Sequence, residues 1–288
     1  METVIEGKLL WAPSAAFAEA SNMVQFMRWL KQTRGHDFAN YEAMRQWSVA
    51  NLEEFWASIW DYFKVHSTTG YTRVLDTSKM PGCKWFEGSH INYAEHVLRA
   101  EATASADKVA LYYASEQIPL STVSWPELGR RVRVLATKLR ALGVQPGDRV
   151  VSYMPNTPET IVAFLATASI GAIWASSAPE FGVNTVIDRF AQIKPKLMFV
   201  CDGYHFGGKS FSREAEVKEL VERLPTLETV ICAPVFNPQR SDAIVSPGIL
   251  WAEAMQGPDV PREQFVFEHV AHDHPLWVLF SSGTTGLP

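Results

Sequence analysis

The chain is poor in cysteine: Cys83, Cys201 and Cys232 are its only three, far apart and without a C-x-x-C pair. That usage argues against a disulfide framework and for a reducing compartment. There is no block of basic residues and no RNA-reading motif, and the formal charge of -5 argues against a nucleic-acid partner. No G-x-x-x-x-G-K-[ST] run occurs, which excludes an ordinary P-loop NTPase. Neither a Ser/His/Asp set in triad-like context nor paired carboxylates for glycoside chemistry can be found. The N-terminus carries Glu2 and Glu6 and lacks the apolar segment of a signal peptide. One uncharged stretch, Thr160 to Pro179, has the length of a membrane span of ~20 residues. It is interrupted by Thr160, Thr167, Ser169, Gly171, Ser176 and Ser177. A buried helix, a turn at Gly171 and a buried strand account for it better. A cytoplasmic protein with no membrane span is therefore expected.

What the chain does have is core-forming material. Its 288 residues are 47% hydrophobic and 20% charged, enough for one or two domains. The first hundred residues are rich in aromatics and read as helices. One opens around Phe26, Met27, Trp29 and Leu30, and others run from Tyr41 to Trp47 and from Leu52 to Phe63, with Asn51 as the expected cap of the last. Val109–Ala114 and Leu120–Val123 predict two strands joined by a turn. Ser124-Trp125-Pro126-Glu127 has capping-box spacing and opens a helix with Leu128, Val132, Leu135 and Leu139 on one face, ending at Gly143. Arg130, Arg131, Arg133, Lys138 and Arg140 are expected on its solvated side. From Arg149 onward strands and helices alternate: strands near 150–154, 172–175, 196–201 and 229–232, helices near 157–170, 183–193 and 214–224. Apolar strands in such alternation predict an α/β fold, a mostly parallel sheet with helices on both faces. Ligands of such sheets sit at the carboxyl ends of the strands.

Three segments stand where that edge is expected. After the apolar run Leu276–Phe280 comes Ser281-Ser282-Gly283-Thr284-Thr285-Gly286-Leu287-Pro288. Its glycines bring backbone N–H groups close to a ligand and its hydroxyls add donors, which suits the acceptor-only oxygens of a polyphosphate. Ser176-Ser177-Ala178-Pro179-Glu180-Phe181-Gly182 and Gly203-Tyr204-His205-Phe206-Gly207-Gly208-Lys209 each follow another predicted strand; a surface turn is the plainer reading of the second. His269, His272 and His274 cluster before the last strand, but no ligand set of familiar spacing completes a metal site, so no metal ligand is assigned.

The Ser-Ser-Gly-Thr-Thr-Gly-Leu-Pro run resembles the phosphate-binding loop of the adenylate-forming enzymes, the acyl-CoA synthetases among them. Within that family the likeness is greatest to the acetoacetate-activating branch, the acetoacetyl-CoA synthetases. It is carried by Trp47-Ser48-Val49, Trp85-Phe86-Glu87-Gly88, Asn92-Tyr93-Ala94-Glu95, Ser169–Trp174, Pro179–Asn184, Asp188-Arg189-Phe190 and Ile193–Leu197. Acetyl-CoA synthetases usually carry a Gly-Gly-containing segment where this chain has Pro179-Glu180-Phe181-Gly182. The resemblance implies an AMP-forming acid–thiol ligase that joins acetoacetate to CoA at the expense of ATP, with magnesium. An acetate or propionate ligase and a non-catalytic binding module are the alternatives. By the same resemblance Ser281, Ser282, Gly283, Thr284, Thr285 and Gly286 hold the ATP phosphates, and Ala178, Pro179, Glu180, Gly208 and Lys209 line the CoA site. Residues 1–104 correspond to an acetyl-CoA-synthetase-like helical region and 105–288 to the first part of an AMP-binding adenylation domain. The family's loop lysine, acyl pocket and catalytic C-terminal lysine are expected beyond Pro288. No catalytic residue is assigned within the chain, which alone is expected to be inactive.

Overall fold

Side-chain caps open three of the four helices described in the N-terminal part. A computed structural model describes residues 6–281, and the chain divides into two units, Met1–His66 with Tyr71–Gly88, and Ser67–Gly70 with Ser89–Pro288. In the first, α1 (Ala15–Glu19) starts at Ser14, whose hydroxyl accepts from Phe17 N–H, and α2 (Asn22–Arg34) starts at Ser21 in the same way. Gly35 ends α2 in the left-handed region that only glycine adopts cheaply. Asn40 caps α3 (Tyr41–Ala50), and α4 (Leu52–Tyr62) follows after one residue. That residue, Asn51, does not cap α4 with its side chain as expected. Its amide donates to Trp47 O at 3.0 Å and closes α3 instead. Much of the aromatic run is core: Phe26, Leu30 and Met44 are buried against Trp29, Trp47, Phe55, Ile59 and Tyr62, while Trp56 and Phe63 remain exposed. Strands β1 (Arg73–Leu75) and β2 (Trp85–Glu87) pair antiparallel, and Trp60 stacks on Phe86 with centroids 4.5 Å apart.

The second unit begins with β3 (His90–Ile91) and α5 (Tyr93–Leu98). Asn92 caps α5, and its buried amide donates to Ala168 O and Glu268 O at 2.9 and 2.7 Å. An antiparallel pair, β4 (Val109–Tyr113) and β5 (Ser121–Ser124), leads into α6 (Trp125–Ala141). The Ser124 hydroxyl accepts from Glu127 N–H, but the returning half of the capping box is not formed. Bonds to Arg130 and Arg131 hold the Glu127 carboxylate, and they lower its pKa to about 2. Arg133 corrects another expectation, for it is buried rather than solvated. Its guanidinium donates to both Glu101 oxygens at 2.9 and 2.7 Å and to Val260 O at 2.8 Å. Gly129 leaves the room this requires, since a Cβ there would lie 2.1 Å from Glu101 Oε2.

Strands and helices alternate from here, interrupted by one hairpin and one connection without a helix. The strands are β6 (Arg149–Tyr153), β7 (Ile173–Ser177), β8 (Leu197–Cys201), a hairpin of β9 (Gly203–Phe206) and β10 (Lys209–Ser212), β11 (Thr229–Ala233) and β12 (Gly248–Leu250). Between them lie α7 (Pro158–Ser169), α8 (Val183–Ile193) and α9 (Glu214–Arg223); α10 (Trp251–Ala254) and β13 (Val270–Ala271) come after, the latter pairing with β3. Five strands form one parallel sheet in the order β12-β11-β8-β6-β7. Both faces are covered, as expected. Val150, Trp174, Leu197, Phe199 and Ile231 join the core built with α6 and α7, while Val151, Ala175, Met198, Val200 and Val230 join the one built with α8 and α9. The predicted strand 276–280 is reduced to one bridge. Trp277 pairs with Trp174 in parallel, with bonds from Trp174 N–H to Leu276 O and from Val278 N–H to Trp174 O. From Trp277 on the sides alternate, Trp277 packing on Phe164 of one core and Val278 with Phe280 on the other, so the segment continues the sheet beyond β7. Among the described residues no helix is long and apolar enough to cross a membrane.

Cys201 and Cys232 lie at neighbouring strand positions, fully buried, and burial pushes both thiols up to about 12. Cys83 is partly exposed. A thiol reagent at pH 8 should therefore label one cysteine in the native protein and all three in denaturant, as counted by intact mass. Rapid native labelling of all three would contradict this packing.

Candidate functional site at the carboxyl edge of the sheet

The crossover α7 leaves β6 for one face of the sheet, whereas α8 and α9 leave the adjacent β7 and β8 for the other. The loops after these strands diverge, and a crevice opens where parallel sheets commonly receive ligands. A cavity of about 640 Å³ lies there. Its walls come from the ends of β6 (Pro155–Glu159), the β9 hairpin (Tyr204, His205), β11 (Ala233–Phe236) and the β4–β5 connection. The Thr157 hydroxyl, at the start of α7, is buried on this wall without a hydrogen-bond partner among the described residues; that of Ser177, at the end of β7, is likewise buried and unpartnered among them, away from the cavity lining.

The loop after β7 is held from beneath. Tyr153, at the end of β6, is fully buried, and its hydroxyl lies 2.8 Å from the carbonyl oxygens of both Pro179 and Phe181, donating one proton between them. Burial raises the phenol pKa, so it remains a donor. Arg213 donates to Pro179 O at 2.7 Å, to Tyr204 Oη at 2.9 Å and to Glu216 at 2.9 Å, with its guanidinium 5.0 Å from the Tyr204 ring centre. One cation thus ties the 178–182 loop to the β9–β10 hairpin. Arg189 sits 4.5 Å from the Phe181 ring and 6.0 Å from that of Phe280, joining the loop to the approach of the Ser/Thr/Gly run. With these anchors, Ala178 and Glu180 are exposed while Pro179 is buried.

The Gly203–Lys209 segment is a two-residue hairpin. Phe206 faces Lys209, and Gly207 and Gly208 take φ of 61° and 70°, the type I′ turn that suits strand twist. Gly203 is needed for space: a Cβ there would lie 2.4 Å from Phe211 O. Asp202, just before it, is fully buried and accepts from Phe236 N–H at 2.7 Å and Asn237 N–H at 2.9 Å, with Arg240 Nε 3.6 Å away. That carboxylate fixes the loop after β11 against the hairpin.

Of the residues singled out from sequence, Ala178, Pro179 and Glu180 share this edge with Gly208 and Lys209, linked through Arg213. Ser281 is described and exposed, four residues past the parallel bridge of Trp277 with Trp174. Ser282, Gly283, Thr284, Thr285 and Gly286 lie outside the described residues. The histidines are engaged elsewhere: His274 Nε2 bonds to Gly171 O at 2.8 Å, and His269 Nε2 to Glu95 at 2.7 Å. Tyr153, Asp202, Arg213 and Glu116, which bonds to the hairpin turn, were not singled out. Only Asp202 carried a signal, a charge directly after an all-apolar strand.

Two substitutions test this framework. Tyr153→Phe should cost about 1–2 kcal/mol in urea unfolding, one hydrogen bond at a buried site, and should speed amide exchange in 178–182. Gly203→Ala should cost about 1–3 kcal/mol through overpacking against a backbone oxygen. Unchanged unfolding midpoints would contradict the respective contacts.

Comparison with known proteins bears on this geometry. Residues 41–97 match the model of the acetyl-coenzyme A synthetase N-terminus. The acetoacetyl-coenzyme A synthetase of Rhizobium meliloti (strain 1021) is 39% identical over 97% of this chain and 42% of its own length. That of Xenopus tropicalis is 38% identical over 100% of this chain and 43% of its own. The solved acetoacetyl-CoA synthetase from Streptomyces lividans superposes with a TM-score of 0.91 at 43% identity, covering 98% of this chain and 42% of that one. The chain thus spans about two fifths of the length of these relatives. Residues 98–288, well over half of the chain, match the model described as AMP-binding enzyme, and the chain belongs to that family.

Proposed function

We propose that the protein carrying this chain is an AMP-forming acid–thiol ligase that activates acetoacetate with ATP and passes the acyl group to CoA. The observation that carries this reading is similarity to acetoacetyl-CoA synthetases along nearly the whole chain, in a bacterium and a vertebrate alike. In the first half-reaction the acid carboxylate attacks the α-phosphorus of ATP, giving an acyl-adenylate and releasing pyrophosphate. Ser281, Ser282, Gly283, Thr284, Thr285 and Gly286 donate to the β- and γ-phosphates as charge moves onto the leaving group. Magnesium would neutralise part of that charge, and we assign no described side chain to it. In the second half-reaction the CoA thiol attacks the acyl carbonyl and AMP leaves.

The exposed Ala178 and Glu180 backbone and the Gly208-Lys209 turn form the CoA nucleotide site in this reading. Its support is chemical: two successive glycine N–H groups and one exposed cation at a sheet edge suit a phosphate-bearing ligand. The match of residues 41–97 to the acetyl-coenzyme A synthetase N-terminus keeps acetate and propionate as a second reading of the acid.

Exchange of labelled pyrophosphate into ATP separates the half-reactions. In the protein carrying this chain, acetoacetate should drive exchange at least ten times faster than acetate or propionate, and the reverse order would favour the second reading. Gly283→Val should abolish exchange by crowding the phosphates. Lys209→Ala should leave exchange intact and raise the KM for CoA. Loss of exchange in Lys209→Ala, or an unchanged KM, would remove Lys209 from the CoA site.

A further inference from the structure

One ligand-like group already sits on the hairpin turn, and it belongs to the chain. Glu116 Oε1 accepts from Gly207 N–H at 2.6 Å, and Oε2 accepts from Gly208 N–H at 3.0 Å. With both glycines at positive φ, these successive N–H groups point to one side and form a small anion-binding concavity. Both glycines are exposed, so the turn is within reach of a ligand from solvent.

Glu116 comes from the β4–β5 connection, far away in sequence. A tight turn presents it: Ser115 N–H donates to Ile118 O at 2.9 Å, and the Ser115 hydroxyl accepts from Ile118 N–H at 3.0 Å. The same connection forms one wall of the cavity through Ser115, Gln117 and Ile118, and the hairpin forms another through Tyr204 and His205. The Glu116 carboxylate therefore pins two walls together. It is itself exposed, and it leaves a neighbouring charge unused: Lys209 is exposed and has no ion-pair partner among the described residues. A carboxylate has two oxygens, both taken by the turn. A phosphate monoester has three, enough for both N–H groups and for Lys209.

We propose that the Gly207–Gly208 turn is an anion site that the chain keeps filled with its own Glu116, and that a phosphate-bearing ligand binds by displacing this carboxylate and freeing the β4–β5 connection from the hairpin. The ligand assignment rests on the CoA reading above; the internal occupancy rests on the two bonds alone. Glu116 thereby sets the affinity of the site by competition.

The test combines amide exchange at residues 206–209 with calorimetric CoA titration, using the protein that carries this chain. Glu116→Ala frees both N–H groups, so exchange at Gly207 and Gly208 should rise about tenfold or more and CoA should bind roughly tenfold tighter. Glu116→Gln, whose amide offers one acceptor, should fall between. Unchanged exchange in Glu116→Ala would overturn the internal occupancy. Faster exchange with unchanged or weaker CoA binding would make Glu116 a staple and overturn the competition. If neither form binds CoA, the CoA reading fails by itself and inorganic pyrophosphate becomes the probe. It should then slow exchange at Gly207 and Gly208 in Glu116→Ala; no slowing would overturn the anion site as well.

Discussion

Val150 and Val151 are neighbours in β6, yet each is fully buried, one in each of the two cores that flank the sheet. The same alternation runs through Leu197–Val200 and Val230–Ala233. Burial on both faces is the constraint on which this unit depends. It requires helices on either side, and here the crossovers between strands supply them, with α6 added on one face. Once α7 is committed to one face and α8 and α9 to the other, the loops leaving β6, β7 and β8 must part company. The crevice follows from that divergence.

A crevice between diverging loops is not yet a site, because loops of this kind are mobile unless tied. Here buried polar groups do the tying. Tyr153 and Arg213 converge on Pro179 O, Asp202 gathers the N–H groups of Phe236 and Asn237, and Arg213 reaches on to Tyr204. Each spans two connections that would otherwise move independently, and each is satisfied by partners from a different strand end. Deleting one partner leaves a buried donor or acceptor exposed to no water, which is why such ties hold a loop more firmly than apolar contact alone. The edge is therefore rigid beneath and open above, where Ala178, Glu180, Gly208 and Lys209 reach solvent.

Glycine has three distinct uses around this edge. At Gly203 it gives clearance from Phe211 O, at Gly129 it makes room for the Glu101–Arg133 pair, and at Gly207 and Gly208 it permits the left-handed turn. Sequence alone cannot separate clearance from conformation, since both leave the same letter.

Local pattern was enough for much of this protein. The unbroken apolar run Leu197–Cys201, the helical spacing of Leu128, Val132, Leu135 and Leu139, and the cap at Ser124 arise from residues within a turn or two of one another, so the sequence by itself determined the central strands, the main helices and their order. Family resemblance, carried by contiguous motifs, was legible for the same reason. Where several partners compete, the outcome lay beyond it. Asn51 turned its amide to the Trp47 carbonyl, Glu127 turned to two arginines and Arg133 to Glu101, each choosing among partners that sequence distance does not rank. The partners of Tyr153, Arg213 and Glu116 stand dozens of positions away or more for Pro179, Phe181 and the hairpin turn. Only the tertiary structure decided those, because hydrogen bonds act over about 3 Å, and folding alone brings such residues within that reach.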